Sequence, residues 1–339
     1  MFDSNKSKFI EDDNYIKEIQ EQQDELYKIK RQVWDQRREY NKLLVSDARA
    51  DNLTERLIEI AQQLNEDKPL DFDKYIYDVS DKEGLLVFSD IHYGLVVDNI
   101  WNEYNTEIAK SRIEKLISKV KIYIKTNSLN KLHILLLGDA ANGAIHTSCR
   151  VASEEDTSDQ LMHISEILAE AIAEVADEVN ETYVYSTYGN HLRTIQNKND
   201  SIHTDNMEKL IPWWMTQRFQ KRDDIHIVDS EYYEFIKLNI LGYNLVATHG
   251  DLDSFKNLGM VVNTLFSKIY GETIDYTISA DKHHIEEFEQ YNIESILVRS
   301  LCGVDQYAND KRLYSNAGQT FMVFSKEDGR ECTYNIKLN

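Results

Sequence analysis

Short apolar runs alternate with amphipathic stretches from Gly84 onward. The apolar runs have the length of buried strands, and the amphipathic stretches repeat their apolar residues at steps of three and four, which is typical of helices. The runs lie at residues 85–88, 132–137, 183–187 and 245–248, and the helical stretches lie at residues 103–125 and 160–179. The last sixty residues read as β-rich. This alternation predicts a layered α+β domain.

The first part of the chain has a different pattern. Between about residue 14 and residue 63 there is no glycine and no proline, and apolar residues recur at helical steps. The first set resembles a heptad seam, which predicts a coiled coil: Leu26, Ile29, Val33, Tyr40 and Leu43. We therefore predict a helical arm at residues 1–66, a linker at 67–83 and the main domain at 84–339. The seam permits a homodimer, and it could equally pack back on the main domain.

Basic residues crowd together on the predicted arm, although the chain as a whole is acidic. They are Lys28, Lys30, Arg31, Arg37, Arg38 and Lys42. One interpretation is a solvated helix face that makes ion pairs at i, i+4 spacing, and we favour it. The alternative is an arm that follows phosphates or mediates oligomerisation.

Composition limits the partners and the compartment. The formal net charge of -21 repels DNA at long range, so DNA binding would need a local basic patch or bound metal. Three widely spaced cysteines form no disulfide framework, which favours a reducing compartment. The N-terminus lacks the apolar core of a signal peptide, and no apolar run is long enough to span a membrane. We expect a soluble, cytoplasmic protein that does not bind membranes.

Each apolar run ends in a short turn that carries Asp, Asn or His. These residues are Asp90 and His92 after the first run, Asp139 after the second, Asn190 and His191 after the third, and His249 after the fourth. Carboxylates and imidazoles are ligands for borderline transition metals. Four such strand ends in one chain are difficult to explain by core packing, because buried polar groups must find partners.

The ordered set D-x-H, GD-x-x-N, GNH, H and a late His pair resembles the calcineurin-like metallophosphoesterase superfamily. It is most similar to the branch of DNA-repair nucleases and their phage-encoded relatives, and the resemblance spans Gly84 to Phe324. The resemblance implies a four-layer sandwich of two mixed β-sheets flanked by helices, here preceded by the helical arm. It also implies a dinuclear metal centre and a cytoplasmic location, in a bacterial host if the protein is phage-encoded.

Roles for the strand-end residues follow from the same resemblance. Asp90 and His92 would hold the first metal ion, Asp139 would bridge both ions, and Asn190 and His249 would hold the second. The metals would be two divalent ions, with Mn²⁺ favoured and Mg, Fe or Zn as alternatives. They would activate a water for in-line attack on phosphorus.

His191 has a separate role in this scheme. The resemblance implies that it does not bind metal, but stabilises the phosphoryl oxygens or protonates the leaving oxygen.

The last motif departs from the family pattern. The superfamily usually ends its metal ligands with GHxH, whereas here Ala280 replaces the Gly, Asp281 replaces the first His and His283 keeps the second. Asp281 can still bind a divalent ion, so we expect Asp281 and His283 to complete the metal set. Lys282 could lower metal affinity, and His284 remains an alternative ligand.

Four further residues are candidates for binding the substrate. Arg193 follows GNH, where many relatives have an acidic residue, and it could bind a phosphate or pair with a surface carboxylate. His146 and Arg150 follow the loop of the bridging Asp139 and could reach the substrate from beside it. Asn142 belongs to the GD-x-x-N motif itself.

Three functions remain open on the sequence. The favoured one is a Mn-dependent nuclease that acts on DNA, with the basic arm offsetting the acidic domain. The second is a phosphodiesterase or phosphatase for a nucleotide or another small phosphoester. The third is a non-catalytic interaction protein that acts through its helical arm. The intact metal-ligand motifs argue against this third function.

Overall fold

The computed structural model describes residues 28, 30–32, 36–38, 54–70, 81–145, 147–202, 204–230, 232–312 and 314–339. The chain divides into two units, Met1–Gln63 and Leu64–Asn339. In the first unit, residues 28, 30–32, 36–38 and 54–63 are helical, and the basic residues among 28–38 are exposed. The predicted heptad seam lies outside the described residues, so the coiled coil and the boundaries of arm and linker stay predictions.

The second unit contains two mixed β-sheets. The six-stranded sheet has the order β13-β12-β1-β4-β5-β6, and the five-stranded sheet has the order β10-β11-β9-β8-β7. The strands of the first sheet are β1 (Lys82–Phe88), β4 (Lys131–Leu137), β5 (Glu181–Thr187), β6 (Ile225–Val228), β12 (Gly318–Ser325) and β13 (Gly329–Lys337). Those of the second are β7 (Ile236–Ile240), β8 (Tyr243–Thr248), β9 (Tyr276–Ser279), β10 (Glu286–Gln290) and β11 (Ile293–Leu297). The predicted strands and the predicted mixed sheets with helices are confirmed.

Parallel pairing brings the strand ends with candidate ligands to common edges. In the first sheet β1, β4 and β5 pair in parallel, and in the second sheet β8 and β9 do so. Strands β1, β4 and β9 are almost wholly buried, as expected of parallel strands that are covered on both faces, whereas β5 and β8 each keep partly exposed residues.

One apolar cluster joins the two sheets. It includes Val87 and Leu135 from the first sheet and Leu245 and Ile278 from the second, all of them buried. A second cluster lies between β8 and a helix, and it is centred on Val262 and Phe266.

Six helices lie among the described residues of this unit: α1 (Thr106–Asn127), α2 (Thr147–Val151), α3 (Thr157–Ala176), α4 (Leu210–Arg218), α5 (Phe255–Tyr270) and α6 (Gln306–Lys311). A short hairpin, β2 (Val97–Asp98) and β3 (Glu103–Tyr104), precedes α1. Helix α1 begins later than predicted because Asn105 caps it: its side chain accepts a hydrogen bond from the Ile108 amide. No described helix is long and apolar enough to cross a lipid bilayer.

Candidate metal centre

Five strand ends deliver the candidate ligands. Asp90 follows β1, Asp139 follows β4, Asn190 follows β5, His249 follows β8 directly, and Asp281 follows β9. The loops are joined by backbone hydrogen bonds from the Asp90 amide to the Gly138 carbonyl, 3.1 Å, and from the His92 amide to the Asp139 carbonyl, 2.9 Å. The carboxyl ends of parallel strands are where ligand sites collect in such sheets.

Five candidate ligands have a left-handed backbone, although none is glycine. They are Asp90 (φ 47), His92 (φ 49), Asp139 (φ 53), Asp281 (φ 65) and His283 (φ 59). Non-glycine residues adopt this conformation at a cost of about 1–3 kcal/mol, and it persists only where the surroundings impose it, most often at functional sites. Five such residues in the loops after β1, β4 and β9 therefore mark this edge as a functional site.

Close packing of two glycines sets the distance between the β4 and β5 loops. A Cβ on Gly138 (φ +88) would overlap the backbone of Gly189, and a Cβ on Gly189 would overlap the Asp139 carboxylate. Both positions therefore need glycine for the Asp139 carboxylate to lie where it does.

The first group of donors consists of Asp90, His92 and His283. The His283 Nε2 atom lies 3.3 Å from Asp90 Oδ1 and 3.4 Å from His92 Nε2, and His92 Nε2 lies 3.9 Å from Asp90 Oδ1. Bonds of about 2.1 Å to one ion would separate neighbouring ligand atoms by about 3.0–3.4 Å. Asp90 Oδ1 is buried without a hydrogen-bond partner among the described residues. These atoms fit one divalent ion.

The second group consists of Asp139, His249 and Asp281, and we add Asn190 because it lines the same cavity as His249. His249 Nε2 lies 3.2 Å from Asp139 Oδ2 and 3.7 Å from Asp281 Oδ1. The His249 Nδ1–H donates to the Leu137 carbonyl, 2.7 Å, so Nε2 faces the carboxylates. Within the described part of the chain, His249 Nε2 and the Asn190 Oδ1 are buried and have no hydrogen-bond partner. This donor set of oxygens and one nitrogen fits a second divalent ion.

Asp139 belongs to the second group and also lies close to Asp90 of the first. Donor atoms of Asp90, Asp139 and His249 all fall within 4.8 Å of one another. A bridging position for Asp139 is therefore compatible with the geometry.

The structure distinguishes between Asp281 and His284, the two alternative metal ligands in the loop after β9. Asp281 faces His249, and its amide donates to Asp90 Oδ2, 3.2 Å. His284 is exposed and lies beside Glu286, 3.6 Å away, outside both donor groups. Lys282 pairs with the other oxygen of Asp281, so one oxygen of that carboxylate faces the centre.

His191 lies beside the Asp139 carboxylate. Its Nδ1–H donates to the Asn142 carbonyl, 2.8 Å, and its Nε2 atom lies 4.0 Å from Asp139 Oδ2. Nε2 therefore faces the centre. His92, Asp139 and His191 also form a group that could hold an ion, so the coordinates permit His191 either as a proton donor or as a ligand.

At this centre, burial and neighbouring charges shift the pKa values of the histidines and carboxylates, often in opposite directions. Burial lowers the pKa of His191, but the Asp139 charge, the Cys149 side chain and the Asn142 carbonyl together outweigh burial and raise the pKa to about 10. Burial and the neighbouring His191 lower the pKa of His92 to about 3. Burial alone would raise the pKa of Asp139, but the surrounding histidines bring it well below its usual value. The Asp139 carboxylate therefore stays ionised, as a ligand of a bound cation must be.

Glu208 braces the two central loops, and no sequence pattern marks it. Its carboxylate accepts hydrogen bonds from the amides of Ala140, 2.7 Å, and Gly189, 2.6 Å, which adjoin Asp139 and Asn190. The side chain is buried, and burial together with the Asp139 charge raises its pKa to about 7.

We expect Glu208→Gln to weaken metal binding by about 10- to 100-fold, because one amide N–H would then face the Gln NH₂ group instead of an oxygen. Titration calorimetry with Mn²⁺ measures this. Glu114→Gln, on the exposed side of α1, is the matched control. Unchanged affinity in Glu208→Gln would show that these two hydrogen bonds are dispensable for metal binding.

The four candidate substrate residues have different surroundings. Arg193 donates to the carbonyls of Asn190, Ile195 and Gln196, so it ties its own loop together. The buried Asn142 amide donates to the Cys149 carbonyl and the Ser153 hydroxyl, which directs it away from the centre. Arg150 is exposed on α2. His146 lies outside the described residues.

A cavity of about 140 Å³ opens beside the second donor group. Asn190 and His249 line it, together with Tyr188, Phe235 and Leu252. Cavities of about 150 Å³ bind benzene in other proteins, so this one has room for about one ring-sized group.

Comparison with known proteins gives distant relatives. No family model matches the chain. The SPbeta prophage-derived uncharacterized protein YonJ of Bacillus subtilis strain 168 is 23% identical over 340 residues, which cover 97% of this chain and 82% of YonJ.

Several solved structures are also similar. A novel archaeal phosphodiesterase is 12% identical, covers 75% of this chain and 99% of its own, and has a TM-score of 0.37. Zn-bound Vps29 from Entamoeba histolytica is 10% identical over 76% of this chain and 99% of its own, with a TM-score of 0.30. A hypothetical protein from Pyrococcus horikoshii OT3 is 11% identical over 76% and 89%, with a TM-score of 0.40. Because these scores are low, function has to be inferred from the donor groups themselves.

Proposed function

We propose that this protein is a phosphodiesterase that depends on two divalent metal ions. The observation that carries the proposal is the pair of adjacent donor groups that meet at Asp139, with three buried donor atoms unpartnered among the described residues: Asp90 Oδ1, Asn190 Oδ1 and His249 Nε2. Unpartnered buried acceptors are costly in a folded protein unless a cation binds them.

The residues would divide the work as follows. Asp90, His92 and His283 would hold one ion, Asn190, His249 and Asp281 would hold the other, and Asp139 would contribute to both. When bound, the ions neutralise phosphate charge and lower the pKa of the attacking water. His191, oriented by the Asn142 carbonyl, directs Nε2 toward the centre and donates its proton to the departing oxygen.

Within this class we propose a Mn-dependent nuclease that acts on DNA. The oxygen-rich second group, with one nitrogen, favours Mn or Mg over Zn. The sequence resemblance to repair nucleases supports the substrate, and the prophage-derived relative YonJ supports a phage origin. The exposed basic residues of the first unit could contact DNA phosphates, and the heptad seam could pair two chains.

The fold proposal is the four-layer sandwich. It is supported by the apolar cluster that the two sheets share and by the separate cluster between β8 and α5.

A small nucleotide or another small phosphoester is the second candidate substrate. The formal net charge of -21 favours it, because an acidic protein repels long polyanions. The ring-sized cavity beside Asn190 and His249 would suit one group of such a substrate.

Hydrolysis of bis-p-nitrophenyl phosphate and of labelled single- and double-stranded DNA, with and without Mn²⁺, tests the proposal. We expect metal-dependent cleavage of both substrate types. Cleavage of the small diester alone would favour the second candidate. Absence of cleavage in protein that contains stoichiometric metal would contradict the proposed activity.

A further inference from the structure

Two aromatic side chains, Trp101 and Tyr314, lie against each other at the surface. Their ring centroids are 4.6 Å apart and the rings are inclined by 38°. Trp101 is 53% exposed, Tyr314 is 48% exposed, and the neighbouring Ile100 is 89% exposed. We call these three residues the aromatic ledge. A contiguous group of large exposed apolar side chains marks a binding surface more often than single exposed residues do.

The ledge is held firmly to the segment that follows β11. The buried Asn102 amide donates to the carbonyls of Cys302, 2.8 Å, and Val304, 3.1 Å. The buried Arg112 guanidinium donates to the Asn102 side-chain oxygen, 2.9 Å, and to the Cys302 carbonyl, 2.8 Å. These bonds fix the hairpin tip that carries Trp101, so little conformational freedom is lost when a ligand binds there.

The same segment adjoins the first donor group. The Cys302 sulfur lies within 4.8 Å of donor nitrogens of His92 and His283. Trp101 is next in sequence to Asn102, which is bonded to Cys302, so the covalent and hydrogen-bonded path places the ledge within roughly 20 Å of that group. A few nucleotides of an extended single strand span this distance.

Charges of both signs lie near the ledge. The charged residues of the hairpin are Asp98 and Glu103, both exposed, and there is no Lys or Arg between residues 95 and 105. On the other side, Lys311 and Arg312 precede Tyr314 at the end of α6, and Arg312 is exposed. A neutral aromatic ring can stack on this surface without meeting a like charge, and the two basic residues offset the acidic hairpin for a neighbouring phosphate.

The size of the ledge also limits its partner. A stable protein interface buries at least about 1,000 Å² in total, which is far more than three side chains provide. A nucleobase presents a flat face of the size of one aromatic ring system, and such stacking accepts any base.

We propose that the aromatic ledge stacks an unpaired base of a single-stranded nucleic acid whose backbone phosphate reaches the metal centre. This inference rests on the proposed phosphodiesterase function and specifies its substrate class. The faces of paired bases are covered by the neighbouring base pairs, so a duplex would gain no binding free energy by stacking on the ledge.

Binding and cleavage of a short fluorescein-labelled oligothymidylate by the full chain test this inference. We expect Trp101→Ala and Tyr314→Ala each to weaken binding, measured by anisotropy with Ca²⁺, by roughly 5- to 150-fold. Cleavage with Mn²⁺ should show a raised KM, and the ratio of kcat/KM for the oligonucleotide to that for bis-p-nitrophenyl phosphate should fall by a similar factor. Tyr291→Asn is the control, because it removes a 74% exposed aromatic side chain from a left-handed turn elsewhere.

The outcomes separate the two proposals. If the wild-type protein hydrolyses neither substrate but binds the oligonucleotide through Trp101, base binding at the ledge is supported and the proposed phosphodiesterase function is contradicted. If the diester is hydrolysed while both ledge variants bind the oligonucleotide as the wild type does, the ledge inference is wrong. It is also wrong if the variants alter the oligomeric state instead of the affinity, or weaken duplex binding equally.

Discussion

Asp139→Asn is expected to reduce phosphodiester hydrolysis on the order of 10³-fold and to lower the amount of bound metal. The Asp139 carboxylate lies 3.2 Å from His249 Nε2, and its other oxygen accepts the His191 amide, 2.9 Å. Asparagine removes the negative charge that both donor groups share, but it tolerates the left-handed backbone of this position (φ 53). Loss of activity would therefore reflect the lost charge and not a refolded loop.

Two measurements on the same preparation check this expectation. Elemental analysis after dialysis gives the metal content, and bis-p-nitrophenyl phosphate hydrolysis gives kcat. Asp223→Asn, which changes an exposed carboxylate, should match the wild type in both. If Asp139→Asn retained two ions per chain and most of its activity, Asp139 would not be the bridging residue.

The second large effect is expected for His191→Ala, with kcat lowered by about 10²- to 10⁴-fold. The proposed role requires that this loss occur while the bound metal is unchanged. The geometry makes the comparison informative, because His191 Nε2 is 4.0 Å from Asp139 Oδ2 and also belongs to a group that could hold an ion.

Metal content decides between the two roles of His191. Full metal occupancy with lost turnover supports the proton donor, whereas lost metal would make His191 a ligand and contradict the proposed mechanism. His163→Ala is the control, since His163 is an exposed histidine paired with Glu155. It should leave kcat and metal content as in the wild type.

The positions of the strand-end residues could be predicted because strands and turns have local signals. A buried apolar run followed by a turn places Asp90 or Asp139 at a sheet edge whatever the rest of the chain does. The two mixed sheets follow from the alternation of runs and helices. Local pattern also indicated the approximate helices, although the Asn105 cap moved the start of α1.

The remaining features depend on contacts between distant parts of the chain. Glu208 is 68 residues beyond Ala140, and no residue pattern around it predicts a buried carboxylate that accepts hydrogen bonds from two backbone amides. Arg193 was a candidate for phosphate binding, but the local chain path supplies three carbonyls for its guanidinium. The choice between Asp281 and His284 needed the direction of the loop after β9, which residue spacing does not determine.

The left-handed backbone at the strand ends restricts how the centre can change during evolution. A position with φ of 65, such as Asp281, accepts Asp, Asn, His or Gly far more readily than a branched or bulky residue. Aspartate is one of the few residues that offer both a metal-binding atom and tolerance of this conformation. An exchange between histidine and aspartate at position 281 would therefore be a short evolutionary step, and substitutions at these left-handed positions in related chains should stay within that small group of residue types.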